Sequence, residues 1–229
     1  MAEKDMLQDN LHNEEERAAL AARAFDPFNP YNRFAEMLND QSERMQIPCM
    51  LKTAIAEPSI LWRVGVPGAL SPDSSFSNRA YSFSEAGDIL PGKEKDMGSA
   101  RGAFRHALWQ SNIASAFSLD LAEKIGNCHE RNAPFDKNRY DYPDLNSADM
   151  AVDQQNNIIG REIARQNPHL STKELALKVL DKAYDDGLYQ AVAKTSGGYT
   201  VEKVKIDITT YTAMYAEIMS RDENGKKKE

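Results

Sequence analysis

The chain has 229 residues, 28 Lys and Arg against 35 Asp and Glu, a formal net charge of −7 and 41% hydrophobic residues. That suits one large domain, or one domain with an arm, and supplies enough apolar material for a core. The acidic balance argues against a broad nucleic-acid surface, because such affinity rests on a basic field; a small pocket admitting a nucleotide is not excluded.

The N-terminus, "MAEKDMLQDNLHNEEERAALAAR", lacks a basic segment followed by an apolar run, so it does not read as a Sec signal peptide. No window reaches the apolar length of a membrane span. The expectation is synthesis in the cytoplasm, with any export by a signal-independent secretion route. Residues 1–25 read as an acidic helical arm, with glutamates near its start, where the helix dipole favours them. "DPFNPYN" breaks it with two prolines. A second helix follows, with Phe34, Met37 and Leu38 at i, i+3, i+4. There are two cysteines, Cys49 and Cys128, outside any CxxC or zinc-ligand cluster. Two reduced, partly buried thiols are the default expectation, with a single disulfide also possible on counting grounds.

Residues 67–99 are rich in Pro, Gly and Ser and read as a long irregular loop with short pieces of order. Helices are expected over 100–117 and 119–130, then a loop, "RNAPFDKNRYDYPDLN". A helix over 147–166 has Ser147 as its N-cap, and Pro168 closes it. The stretch from Ser171 to Lys194 reads as one amphipathic helix, opened by a capping box of Ser171 and Glu174, with Leu175, Val179, Leu180 and Tyr184 as its buried stripe. Partial alternation of Val201, Val204, Ile206 and Ile208 fits a small β element near 199–209, or the lead-in to a last helix near "YTAMYAEIMSR". Residues 221–229 read as a disordered tail. The expected class is mainly α: one helical domain over 26–220, with a motif core at 100–166 and no internal repeat.

Three polar clusters stand outside the packing patterns. In "GAFRHALWQSN", Arg105, Trp109 and Asn112 share a helix face, and His106 and Gln110 lie on the adjoining strip. "NCHERN" places His129 and Glu130 where a short helix ends; a histidine there also suits the helix dipole without any chemical role. In "DMAVDQQNNIIGREIARQN", Asp149, Asp153, Asn157 and Arg161 fall at successive i+4 steps beside Asn156 and Gly160. Asp and Asn are poor helix-interior residues, so concentrating them weakens the helix locally. That conflict is expected where function overrides propensity. A buried hydrogen-bond network linking Asp153 to Arg161 is the structural alternative.

The order R-H-x-x-W at Arg105–Trp109, H-E at His129 and Glu130, and D-x-x-N-N-x-x-G-R at Asp153–Arg161 resembles a loosely characterised bacterial toxin/effector-like or phage-associated family. The likeness covers about residues 100–165. It implies a site built from Arg105, His106, Trp109, His129, Glu130, Asp153, Asn156, Asn157, Gly160 and Arg161, and names no substrate.

If three helices bring these groups together, His106 or His129 can act as general base, with Asp153 or Glu130 orienting it. Arg105 and Arg161 offer forked donors to a phosphate or carboxylate, and Asn156 and Asn157 donors to an oxyanion. Trp109 adds an apolar wall. No serine or cysteine stands in a nucleophile motif, so the leading expectation is a hydrolase that activates water against an ester or phosphodiester bond. A phospholipid or cell-envelope substrate fits the toxin-like context. The cofactor expectation is none, or a divalent metal ion held by His106, His129, Glu130 and Asp153. Against the metal, HExxH is absent, since Arg131, Asn132 and Ala133 follow Glu130. The other class of reading is a non-catalytic interaction module, with an immunity or secretion-system protein as partner and the polar stripe as a structural network.

Overall fold

The computed structural model describes residues 58–65, 72–92, 96–130 and 135–228. The expected arm over 1–25, the helix expected around Phe34, and Cys49 lie outside these residues. Among the described residues the chain is mainly helical, with seven α-helices and one three-stranded antiparallel sheet. The order is α1 (Pro58–Val64), α2 (Phe76–Ser84), a 3-10 turn (Ala86–Asp88), α3 (Ala100–Ala116), α4 (Leu119–His129), β1 (Asp141–Tyr142), α5 (Leu145–Gln166), α6 (Thr172–Asp185), β2 (Leu188–Ala193), β3 (Tyr199–Val204) and α7 (Ile208–Met219). None of these helices is long and apolar enough to cross a membrane.

Helix α3 is the axis of the fold. Ser99, in extended conformation, caps it by accepting from the Gly102 backbone N–H. Ala103, Phe104, Ala107, Leu108 and Ile113 are completely buried, and α3 packs against α2, α4, α5, α6 and β2. A helix enclosed on so many sides also carries its polar residues inward: His106, Gln110, Ser111 and Asn112 are all buried. Its tightest neighbour is α5. A methyl group at Gly160 would overlap the carbonyl oxygen of Ala107, so the two backbones touch where only glycine fits.

The sheet order is β1-β3-β2, with Leu188 opposite Val204 and Asp141 opposite Thr200. Ala148, Ala151 and Val152 of α5 pack on Ala191 and Val201, forming a second, smaller core. The sheet thereby supports α5, and its strand β2 also meets α3.

The short pieces of order expected within 67–99 are α2 and the 3-10 turn, and Ser75 caps α2 through the Asn78 N–H. Several other expectations are corrected. Asp144, not Ser147, caps α5; its carboxylate accepts from both the backbone N–H and the hydroxyl of Ser147. The expected 171–194 helix stops at Asp185. Gly187, at φ +85°, turns the chain, and Leu188, Ala191 and Val192, whose spacing also suits a helix, form a strand paired with β3. The β element thus begins earlier and ends earlier than 199–209. Of the predicted stripe on α6, Leu175, Val179 and Leu180 are buried, while Tyr184 is exposed. Residues 221–228 are ordered. The Asp222 carboxylate accepts from the N–H groups of Asn224 and Lys226, and Arg221 bridges to Lys227. Cys128 is disulfide-bonded rather than a thiol.

Candidate active site

Three helix segments deliver the polar clusters to one place. His106 and Trp109 come from α3, His129 and Glu130 from the end of α4, and Asp153 and Asn157 from α5. Asp153 and Asn157 are one turn apart and so face α3 together. The α4 helix ends at Glu130, whose backbone N–H returns to the carbonyls of Gly126 and Cys128. That ending lets His129 and Glu130, adjacent in sequence, turn towards the same neighbour.

His106 is the centre of the cluster. Its Nε2 lies 3.4 Å from Asp153 Oδ2, and its Nδ1 lies 3.2 Å from Asn157 Oδ1 and 3.9 Å from Glu130 Oε1. The His129 ring centroid is 5.5 Å from that of His106 and 5.1 Å from that of Trp109, and the His106 and Trp109 rings meet edge to face at 6.2 Å. His106 and Glu130 are each 7% exposed, and Asn157 is fully buried.

Burial governs the charge states. It pushes the His106 imidazole down to about 3, an effect reinforced by the nearby Arg105 charge and opposed by the Asn157 hydrogen bond. It pushes the Asp153 carboxyl up to about 7, with Arg105 acting the other way. Asp149, one turn earlier, is also pushed up to about 7, by burial first and by Asp153 second; the Gly98 N–H bond, 2.6 Å long, and Arg105 pull it down. The close His106–Asp153 contact is therefore a neutral pair at mildly acidic pH, not an ion pair. One arrangement satisfies both imidazole nitrogens without charge: protonated Asp153 donates to Nε2, and Nδ1–H donates to Asn157 Oδ1.

Arg105 borders the cluster but is engaged by Asp96, whose Oδ2 is 2.8 Å from Nη1. Asp96 also faces Arg101, which pairs with Glu85 and Asp88. Among the described residues four buried donors have no hydrogen-bond partner, and two of them, Trp109 Nε1 and Asn157 Nδ2, lie in this cluster; the others are Gln110 Nε2 and Arg221 Nε.

The structure does not bring every expected residue to this place. Asn156 turns the other way. Its oxygen accepts from the Tyr189 N–H at 3.1 Å, and its amide nitrogen donates to the carbonyls of Val152 and Tyr189, both at 2.9 Å. Its oxygen and one amide hydrogen tie α5 to β2 and the other hydrogen returns to α5 itself, so it has no donor left for an oxyanion. Arg161 donates to Gln110 Oε1 at 3.0 Å and pins α5 to α3 two turns beyond Asp153. Asn112 accepts from Thr172 Oγ1, which in turn accepts from Arg79. Asp149 and Asp96 join the surroundings of the site beyond the expected set. The i+4 step from Asp153 marks Asp149 in the sequence, whereas Asp96 carries no such signal.

The fold and this cluster define a helical domain around a buried histidine–carboxylate centre. Residues 70–187 match a domain of unknown function, DUF6973, and the chain belongs to that family. The match spans α2 to the end of α6 and includes every residue of the cluster. No curated protein and no solved structure matches the chain.

Proposed function

We propose that the chain is a toxin/effector-like hydrolase that activates water at the His106–His129–Glu130–Asp153 centre against an ester or phosphodiester bond. The observation that carries this reading is the position of His106, with a carboxyl at 3.4 Å from Nε2 and a second histidine ring at 5.5 Å. A carboxyl that fixes the tautomer and orientation of an imidazole is the usual support of a histidine base. In the reaction, the water oxygen bonds to the phosphorus or carbonyl carbon while its proton passes to the His129 imidazole, since Asp153 and Asn157 already engage both ring nitrogens of His106. The bond to the leaving oxygen breaks, and the imidazolium returns that proton to the departing alkoxide. The unsatisfied Trp109 and Asn157 donors suit the oxygens that gain charge. Arg105, held by Asp96, supplies positive charge at the border.

A phospholipid or other cell-envelope substrate fits the toxin-like motif set. A disulfide at Cys128 supports action in an oxidising compartment outside the cytoplasm, since such bonds persist there. That placement implies a signal-independent export route and, for a toxin, a cognate immunity protein as partner.

The depth of the cluster favours a second reading, a sealed structural network in a non-catalytic interaction module. Expression in bacteria separates the two. The wild-type chain, directed to cytoplasm and separately to periplasm, is compared with His106→Ala and Asp153→Ala, each first shown folded by circular dichroism and thermal melting. Toxicity that disappears in folded variants supports the hydrolase. No toxicity in either compartment, or loss only through unfolding, supports the structural network.

A further inference from the structure

We infer that His106, His129 and Glu130 form a binding site for one divalent transition-metal ion of the Zn2+ type. The inference rests on the reading of this cluster as a hydrolytic centre, and it names what holds the water.

One ligand atom from each of the three residues can be chosen so that all lie within 4.8 Å of one another. The Nδ1 of His106 and Oε1 of Glu130 are 3.9 Å apart. Around an ion with bonds of about 2.1 Å, neighbouring ligand atoms sit about 3.0–3.5 Å apart. Contraction of about 1 Å at the ends of these side chains therefore closes the triad on an ion. Two imidazoles and one carboxylate suit Zn2+ and its neighbours in the first transition row, not Mg2+ or Ca2+, which take oxygen ligands. Three protein ligands leave a position open for water, the arrangement of hydrolytic rather than structural zinc sites.

The surroundings add an independent sign. Metal-bound histidines commonly give their second ring N–H to a carboxylate, which orients the ring and raises its basicity. Asp153 occupies that position, 3.4 Å from His106 Nε2, and leaves Nδ1 directed to the Glu130 side. Asn157 Oδ1, 3.2 Å from the same Nδ1, is placed to accept from a metal-held water. The Asn157 and Trp109 donors without partners among the described residues can serve oxygens on the ion or on the substrate. With the ion bound, His106 is a ligand. The cation would lower the pKa of a water in its open position, so that a free imidazole would not be needed as the base.

The test uses untagged full-length protein, stripped with a chelator and titrated with Zn2+, Mn2+ or Co2+ by calorimetry, with thermal melting as a second readout. Zn2+ is expected to bind at one equivalent per chain and to raise the melting temperature. Glu130→Gln and His129→Asn should each abolish stoichiometric binding. Asp153→Asn should weaken it about 10- to 100-fold. The exposed His169, replaced by Ala, should leave it unchanged. Failure of all three ions to bind the wild-type chain stoichiometrically overturns the inference, as does binding that the folded Glu130→Gln and His129→Asn variants retain. Turnover that persists in chelator-stripped protein also overturns it and leaves the hydrolase standing. Stoichiometric binding without turnover of any ester or phosphodiester upholds the metal site and defeats the hydrolase.

Discussion

Helix α5 carries two kinds of buried polar residue, one position apart. Asn156 and Asn157 are both completely buried. Asn156 spends its oxygen and both amide hydrogens on backbone groups of Val152 and Tyr189, and so locks the helix to the sheet. Asn157 faces His106 through its oxygen and leaves its nitrogen without a partner among the described residues. A buried polar group stabilises a fold only when its bonds are complete; left incomplete, it costs about 1–3 kcal/mol. The Asn156 side of the helix is built for stability. The Asn157 side keeps strained protonation and unmet donors, which is what a site ready for a ligand requires.

The close crossing of α3 and α5 underlies both sides, so breaking it should have the largest effect. Gly160→Ala forces the methyl against Ala107 carbonyl oxygen and should cost about 3 kcal/mol or more in urea denaturation. A cost below 1 kcal/mol would show that the helices can part freely. Next, Asn156→Ala leaves the Tyr189 N–H and carbonyl unmet and should cost about 2–3 kcal/mol by the same measurement. If Asn156→Ala were neutral, the contrast between the neighbouring asparagines would collapse.

A smaller effect sharpens the other side of the comparison. The Asp149 carboxyl is raised from its ordinary value to about 7, so in this range the folded state binds more protons than the unfolded chain. Its contribution to stability is fully present below about 4 and is lost as the pH rises through about 7. The depressed His106 has the opposite sign: its contribution is present above about 6.5 and is lost as the pH falls through about 3. Comparing wild type with Asp149→Asn removes the His106 contribution, since both chains keep it, and reads the Asp149 carboxyl together with its interaction with Asp153. In chelator-treated protein, wild type should lose stability relative to the variant between about pH 4 and 7, and the difference should be flat above 8. A difference that stays constant across that range would place Asp149 in solvent-like surroundings.

The sequence pattern carried the helices well. The Ser171–Glu174 capping box announces a helix start that the structure keeps. Local rules failed where two patterns coincide. Leu188, Ala191 and Val192 satisfy a helical stripe and a strand equally, and the pairing with β3 decides between them. Gly187 was the available signal for the break. Residue types and spacing put His106, His129, Glu130, Asp153 and Asn157 on three separate helix segments, and the family resemblance, not the spacing, joined them into one site. Spacing put Asn157 on the Asp153 stripe and Asn156 about 100° round the helix, but it could not show that Asn156 meets the Tyr189 backbone, 33 residues away. Arg161 was misplaced for a related reason. Its i+8 relation to Asp153 puts it on the same face but about 12 Å further along the helix, beyond the reach of the site and beside Gln110.

The most direct test is hydrolysis of a panel of aryl esters, an aryl phosphodiester and phospholipid vesicles, with and without added Zn2+, by wild type, Asp153→Asn and Arg161→Lys. Circular dichroism first establishes that all three are folded. The account predicts turnover of at least one substrate by wild type and Arg161→Lys, and a loss of about 100-fold or more in Asp153→Asn. Absence of turnover across the panel, or equal turnover by wild type and Asp153→Asn, would contradict it.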